Sequence, residues 1–417
     1  MKPYYYGLIL TIIFPLSGFG QELDVHADLR LRYEFRNGYG TLRPDSAKAA
    51  HFITQRNRIK IDYSDAKLKL RISPQNVRVW GDMSPSPQRS LDMHFHEAWA
   101  ELAVNRWLSL KLGRQELDYA DARILGNADW GMQARSHDVF LARLKPDTLQ
   151  EFHFGMAINA LRESNFQENY GDRGYFRTMQ FGWYHLNTNN LVLNLMILNQ
   201  GIPYPHNQGE SLAWNQTWGG RVVHKEGRWH GELSSYLQTG KLGTITLNAW
   251  QIALLGSWAL PNGWKVLTGY ERMSGQKPSS NGSTIRSFTP WYGTNHKFNG
   301  HMDYFYVGNH KNSVGLADYY VSLEWRKSRF SALLTGHYFE SAVEVENFES
   351  KKLGLEIDAT LRYSIRKDIQ FSAGYSQISP TTLLETIKGT RQKGVNNWAF
   401  VALHFQPRLF HHIFPKN

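Results

Sequence analysis

Residues 23–36 read LDVHADLRLRYEFR, and their alternation decides the fold. One set is Leu23, Val25, Ala27, Leu29, Leu31, Tyr33 and Phe35; the other is Asp24, His26, Asp28, Arg30, Arg32, Glu34 and Arg36. Side chains on a strand point alternately to its two faces, so this segment is a β-strand with one apolar and one charged face. Its fourteen residues exceed the roughly 5–6 of an ordinary soluble strand. The length fits a tilted membrane strand, or one that projects beyond the bilayer.

The pattern recurs along the chain. Leu353, Leu355, Ile357, Ala359, Leu361 and Tyr363 alternate with Gly354, Glu356, Asp358, Thr360 and Arg362. Phe152, Phe154, Met156 and Ile158 alternate with polar or small residues, as do Ile369, Phe371, Ala373 and Tyr375. Residues 247–258 show no clear period, and their facing stays open. The connections say more than the strands. Short polar turns fall at 64–67, 105–106, 145–148, 187–190, 225–228, 261–263, 326–329 and 366–368. Longer ones fall between them, at 37–50, 74–93, 116–135, 160–175, 199–212, 239–245, 275–313, 340–351 and 377–397. Eight short and nine long connections in strict alternation make eighteen strands. Short turns on one side, long loops on the other and an even count are the marks of an up-and-down transmembrane β-barrel. A soluble all-β fold has no reason to keep its long loops on one side.

Composition agrees with that reading. Aromatic residues make up 14% of the 417-residue chain, while mean hydropathy is −0.48. Strands that are apolar on one face only produce such a balance; a soluble all-β protein has the same statistics, so composition does not decide between them. Lys2, the apolar run Tyr4–Leu16 and the small residues Gly18 and Gly20 predict a signal peptide over 1–20. Residues 21–417 are then expected to form a single barrel domain in the bacterial outer membrane. Loss of Lys2 takes the formal charge from +11 to +10. With no cysteine there is no disulfide framework and no lipidated thiol.

If the apolar faces meet lipid, the charged faces line the lumen. A charge on the lipid face would cost about 2–4 kcal/mol at the bilayer midplane. Arg30, Arg32 and Arg36 then point inward, joined by Arg56, Arg58 and Lys60 on the next strand and Lys69 and Arg71 on the one after. Such a wall attracts anions, and the planar fork of arginine suits carboxylates. Glu97, Glu101, Glu356 and Asp358 are the acidic groups expected to neutralise part of it. The expected partners are an anionic solute or polysaccharide, outer-membrane lipid and lipopolysaccharide, and periplasmic export components; nucleic acid is not expected.

The most polar stretch is 111–144, KLGRQELDYADARILGNADWGMQARSHDVFLARL. It lies in the third long connection, where its charges would line a pore mouth: Arg114, Asp118, Asp121, Arg123 and Arg135. No metal or cofactor site is expected. His94 and His96 lack a third ligand, and Asp118, Asp121 and Asp129 lack the regular oxygen spacing of a calcium loop. A barrel enzyme would need a nucleophile–base pair, and only scattered Ser and His are present. An adhesion barrel closed by the 275–313 loop is a further alternative.

The same stretch, LGRQELDYADARILGNADW at 112–130, resembles the hallmark of the alginate export family of outer-membrane proteins. GYERMSG at 269–275 and YGTNHKFNGHMDYFYVGNH at 292–310, followed by GLADYYV, strengthen the resemblance. It spans nearly all of residues 21–417. It implies a monomeric eighteen-stranded barrel with an electropositive lumen that passes a polyuronate, gated by an extracellular loop and a periplasmic turn. It also implies that Arg114 is a pore arginine, with Asp118, Asp121 and Arg123 near the constriction. Alternation from Leu108, Leu110 and Leu112 puts Arg114 on the lipid face, so that role requires a β-bulge at Gly113. A general or carbohydrate-related porin without alginate specificity is the alternative function.

Overall fold

The computed structural model describes residues 20–415, apart from 87–91, 172, 208, 281, 306–308, 311–312 and 392–393. The signal-peptide expectation over 1–20 therefore lies, but for Gly20, outside the described residues. The wall begins with β1 (Glu22–Asn37), β2 (Ala50–Ser64), β3 (Leu68–Val79), β4 (His94–Ala103), β5 (Leu108–Gln115) and β6 (His137–Leu144). It continues through β7 (Gln150–Ile158), β8 (Thr178–Asn187), β9 (Leu191–His206), β10 (Gly209–Glu226), β11 (Trp229–Leu242) and β12 (Ile245–Ala259). After β13 (Trp264–Met273) comes β14 (Thr284–Ile285), a two-residue strand inside a loop that pairs in parallel with the tip of β12. Then follow β15 (Leu316–Lys327), β16 (Phe330–Glu340), β17 (Lys352–Arg366), β18 (Ile369–Pro380) and β19 (Asn396–Phe405).

Without β14 these are eighteen antiparallel strands, each paired with its chain neighbour. Leu29–Asn37 of β1 pairs with Asn397–Phe405 of β19 and closes the ring. All eight predicted short turns lie at one end. Two of the predicted long connections are not loops. Residues 199–212 and 239–245 are mostly strand: β9 and β10 pair as far as His206↔Gly209, and β11 and β12 as far as Leu242↔Ile245. Polar residues at 199–212 read as loop, but they are strand running past the apolar belt into water. The tail at 406–417 is also accounted for as far as Ile413. Gln406 and Pro407 break β19, and β20 (Arg408–Ile413) then resumes pairing with β1, from His26↔Arg408 to Glu22↔Ile413.

Facing follows the alternation. In β1, Asp28, Arg32 and Glu34 are buried while Tyr33 is exposed; in β17, Glu356 and Asp358 are buried while Leu355, Ile357 and Leu361 are exposed. Exposed aromatic rings meet across strands near both edges of the apolar belt. Trp264–Trp325 (6.1 Å) and Phe330–Tyr363 (5.4 Å) lie near the short turns, and Tyr270–Tyr319 (4.8 Å) lies toward the long loops. Rings with an apolar body and a polar edge favour the two membrane–water interfaces.

The buried apolar core sits inside the ring. Leu117, Ile124, Leu125, Met302 and Tyr304, all from two loops, pack with inward wall residues such as Met179, Leu198, Phe339 and Trp398. The long-loop half of the lumen is therefore filled by residues 116–136 and 286–305.

Candidate functional site

The two inward loops are bound to one another by backbone pairing. Tyr292 N–H donates to Ile124 O (3.0 Å), Gly126 N–H to Tyr292 O (2.9 Å) and Thr294 N–H to Ala122 O (2.9 Å). Arg135 adds side-chain donors: its Nη1 reaches Gly293 O at 3.0 Å and also binds Tyr292 O. The paired loops act as one body.

That body is fastened to three arcs of wall. At β1 and β2, the Asp129 carboxylate accepts from Arg30 Nη2 (2.7 Å) and Arg56 Nη1 (2.6 Å). Arg32 Nη1 donates to Trp130 O at 2.9 Å, with its guanidinium 4.7 Å from the indole ring. Burial by itself would raise the Asp129 carboxyl, but the Arg30 and Arg56 charges hold it below the usual carboxylate range. At β9–β11, Trp291 Nε1 donates to Thr217 Oγ1 (3.0 Å), Tyr292 donates its hydroxyl to Gln200, and Gln238 Nε2 donates to Thr289 O (2.7 Å). At β13–β17, Arg123 Nη2 meets Glu271 Oε1 (2.5 Å) and Asn299 Oδ1 (3.1 Å), and Met302 N–H donates to Glu356 Oε1 (2.7 Å). Gly300 fits there because a Cβ would stand 2.5 Å from the Glu356 carboxylate.

Residues 293–301 lie between two cavities of the lumen. One of about 390 Å3 opens among Arg32, Arg36, Tyr39, Trp130, Arg135 and His296. The other, about 340 Å3, lies toward the short turns among Asp121, Arg123, Arg221, Glu232, Lys297 and His301.

The predicted site residues separate into groups. Arg30, Arg32, Arg56 and Arg58 face inward but lie beneath the 116–136 loop; the Arg56 and Arg58 side chains are only 0% and 1% exposed. Arg56 is also bidentate to Asp28 (2.9 Å to each oxygen), and Arg58 donates to Gln75. Arg123 is buried and structural in its contacts. Asp121 lines the lower cavity, its carbonyl accepting from Lys297 Nζ at 3.0 Å. Asp118 is solvent-accessible, and partial removal of its carboxyl from bulk water, with the nearby Glu116 charge, raises its pKa. His94 meets Gln75, and His96 meets Glu116 at 2.7 Å.

Arg114 requires a correction. Gly113 has φ +120°, and a Cβ there would meet Ala98 O at 2.3 Å, yet the β4–β5 register passes through Trp99↔Gly113 and Ala98↔Arg114 without a shift. The glycine permits a local twist and inserts no residue. Arg114 thus remains on the outer face, donating to Asp138 Oδ2 (2.9 Å) and Phe95 O (3.1 Å) near the long-loop rim, while Gln115 turns inward.

A different arc of cations reaches the lumen. The Arg36, Lys60, Arg71 and Arg143 side chains are 35%, 28%, 31% and 34% exposed, whereas the buried carboxylates that anchor them are 1% (Glu34), 2% (Asp28), 5% (Glu97) and 11% (Glu101) exposed. In this set the anchoring carboxylates lie mostly behind and the cations meet water; Asp62, 2.6 Å from Arg71 and as exposed as it is, is the exception. Sequence reasoning missed Arg143 because Val139, Phe140, Leu141 and Ala142 before it are apolar on both faces. It missed Glu271 and Asn299 because 123 and 299 are joined only by the fold.

A closed eighteen-stranded ring with aromatic edges, a charged interior and inward loops defines an outer-membrane β-barrel channel. Within that class, the alginate export family model matches residues 21–380, and the chain belongs to that family. A search of curated protein sequences finds no match. Among solved structures, Pseudomonas aeruginosa OpdO is similar at 12% identity, with a TM-score of 0.63 over 93% of this chain and 98% of that one. The outer membrane protein OpdK of Pseudomonas aeruginosa gives 0.62 at 12% identity over 92% and 99%. A BenF-like porin from Pseudomonas fluorescens Pf-5 gives 0.62 at 11% identity over 93% and 99%. At such identities the likeness speaks for the fold.

Proposed function

We propose that this protein is a passive conduit for anionic solutes, an acidic polysaccharide such as alginate among them. The observation that carries the reading is the layering of charge between β1 and β6: buried carboxylates behind, partly exposed Arg36, Lys60, Arg71 and Arg143 in front. A carboxylate passing this wall exchanges water and counterions for guanidinium donors that are already oriented. Each cation is also held by an acidic partner, so no single site grips the solute. Weak binding at several sites is what lets a solute leave as readily as it arrives.

The lumen as it stands, with residues 293–301 between its two cavities, suits small anions; a polymer requires the paired loops to move. Reconstitution in planar bilayers under a KCl gradient tests the reading. A reversal potential of the sign for chloride preference supports it, and cation preference overturns it. Liposome-swelling or efflux assays with oligouronates, on wild type and on a chain lacking residues 118–134, then separate a small-anion porin from a polysaccharide conduit.

A further inference from the structure

The site lies at the opposite end of the barrel from the loops, where β1 begins and β20 ends. β20 runs past the end of β18, whose first residue, Ile369, is already opposite Phe405 of β19. Among the described residues β20 thus pairs with β1 alone, and all six of its residues are exposed. A strand held along one edge at the rim of a barrel is a fraying end. Its side chains meet β1 at one cluster. His411 Nδ1 stands 3.1 Å from Asp24 Oδ1 and 3.4 Å from Glu22 Oε1, and the three ligand atoms all lie within 4.8 Å of one another.

We propose that Glu22, Asp24 and His411 form a divalent transition-metal site that clasps the two ends of the barrel together. The spacing is the first argument. Zinc takes imidazole nitrogen and carboxylate oxygen at about 2.0–2.2 Å, which places neighbouring ligand atoms about 3.0 Å apart in octahedral and about 3.4 Å apart in tetrahedral geometry. Two of the three separations lie in that range and the third is within 4.8 Å, so adjustment of the partly exposed Glu22 side chain closes the set on an ion. Ligand type is the second argument. One imidazole and two carboxylates suit Zn2+ or Mn2+, whereas Ca2+ prefers an all-oxygen shell. Half-exposed side chains leave positions for water and a path for the ion. Arg408 donates to the same Asp24 oxygen (3.2 Å) and is the cation an incoming metal must displace or share with. The clasp joins residues nearly the whole chain apart, so binding stabilises only the closed barrel and not the unfolded chain.

Tag-free protein refolded in detergent and freed of metal is titrated with Zn2+, Mn2+ and, separately, Ca2+ by calorimetry. One Zn2+ or Mn2+ should bind per chain, with no Ca2+ binding at this position. His411→Ala and Glu22→Gln should each weaken binding at least about tenfold, since even outer-shell partners of a metal ligand commonly matter that much. His412→Ala, on the other face of β20, should leave binding unchanged. Hydrogen exchange of the β20 amides should slow on adding metal in wild type and not in Glu22→Gln, a variant that keeps every backbone pair. No binding to wild type, or binding retained in both His411→Ala and Glu22→Gln, overturns the proposal.

Discussion

Two arcs of one inner wall carry the same residue type to opposite ends. On β1 and β2, Arg32, Arg56 and Arg58 lie beneath the 116–136 loop, and the more exposed member of their network is a carboxylate, Asp129, at 38%. From β3 to β6, joined by Arg36 and Lys60 of β1 and β2, the order is reversed, with Arg71 and Arg143 in the lumen and Glu97 and Glu101 behind them. The first arc holds a loop; the second faces solute. Alternating arginines in a barrel strand therefore specify an inward charge and leave its use undecided. That depends on whether a loop comes down over it.

The largest effect is expected on the buried side. Asp28→Asn takes one of two carboxylates from Arg56, which is fully buried and keeps only Asp129. The cost approaches, without reaching, the roughly 3–5 kcal/mol of a buried pair stripped of one member. The loss should appear as a lower denaturant midpoint, or as unfolding at lower temperature read by gel mobility. Equal stability to wild type would mean that the first arc is not structural.

Asp129→Asn comes next. Asp129 is partly exposed, so the expected loss of stability is smaller, about 1 kcal/mol after allowance for solvent screening. The effect should be local: faster proteolysis within 116–136 and noisier single-channel current, with the barrel intact. pH reaches the same contact. The Asp129 carboxyl is held below its ordinary value, so its contribution is present in full above that value and is lost as pH falls through the lowered one. Protease resistance of the loop should be flat from neutral pH to about 5 and should fall below about 4, the ordinary carboxylate range.

A smaller effect is expected at the helix α1 (Thr382–Lys388), where Lys388 Nζ donates to Tyr304 O and Asn309 O in a site whose burial pushes the amine down to about 8. Holding that charge costs the folded loop stability below the ordinary lysine value of 10.5, so raising pH from 8 toward 10.5 should raise the protection factors of the α1 amides, taken relative to the base-catalysed intrinsic rate. Lower protection factors over that interval would contradict the assignment. The smallest change is expected from Arg114→Gln. Its pair with Asp138 is exposed and outside the lumen, so stability should shift by no more than about 1 kcal/mol and ion selectivity not at all.

The wall was legible in the sequence because its physics is local. A period of two over Leu23–Arg36, repeated at Leu353–Tyr363, fixes which face meets lipid, and the turns fix the count. The closing tail was not legible: Pro407 removes a backbone donor and interrupts the strand, and the pairing of Arg408–Ile413 with β1 spans the chain. Nor was the division of the arginines. Leu117, Ile124 and Leu125 are fully buried, an apolar set within a polar stretch. That set was the available sign that residues 116–136 fold inward and pack. The partners of Asp129 and Arg123 lie some 100 and 150 positions away, and no local pattern marks them. Arg114 shows the remaining hazard: a glycine within the strand suggested a bulge, and the alternation it was meant to overrule was right.

The most direct test is the reversal potential of Arg71→Gln/Arg143→Gln beside wild type in the same KCl gradient. Loss of the two guanidiniums leaves the buried Glu97 and Glu101 short of a partner, so heat-modifiable gel mobility first establishes that the double variant is a folded barrel. Wild type should prefer chloride, and the variant should shift toward or past neutrality. Unchanged selectivity in the double variant would show that the exposed cations of the second arc do not set the charge of the path.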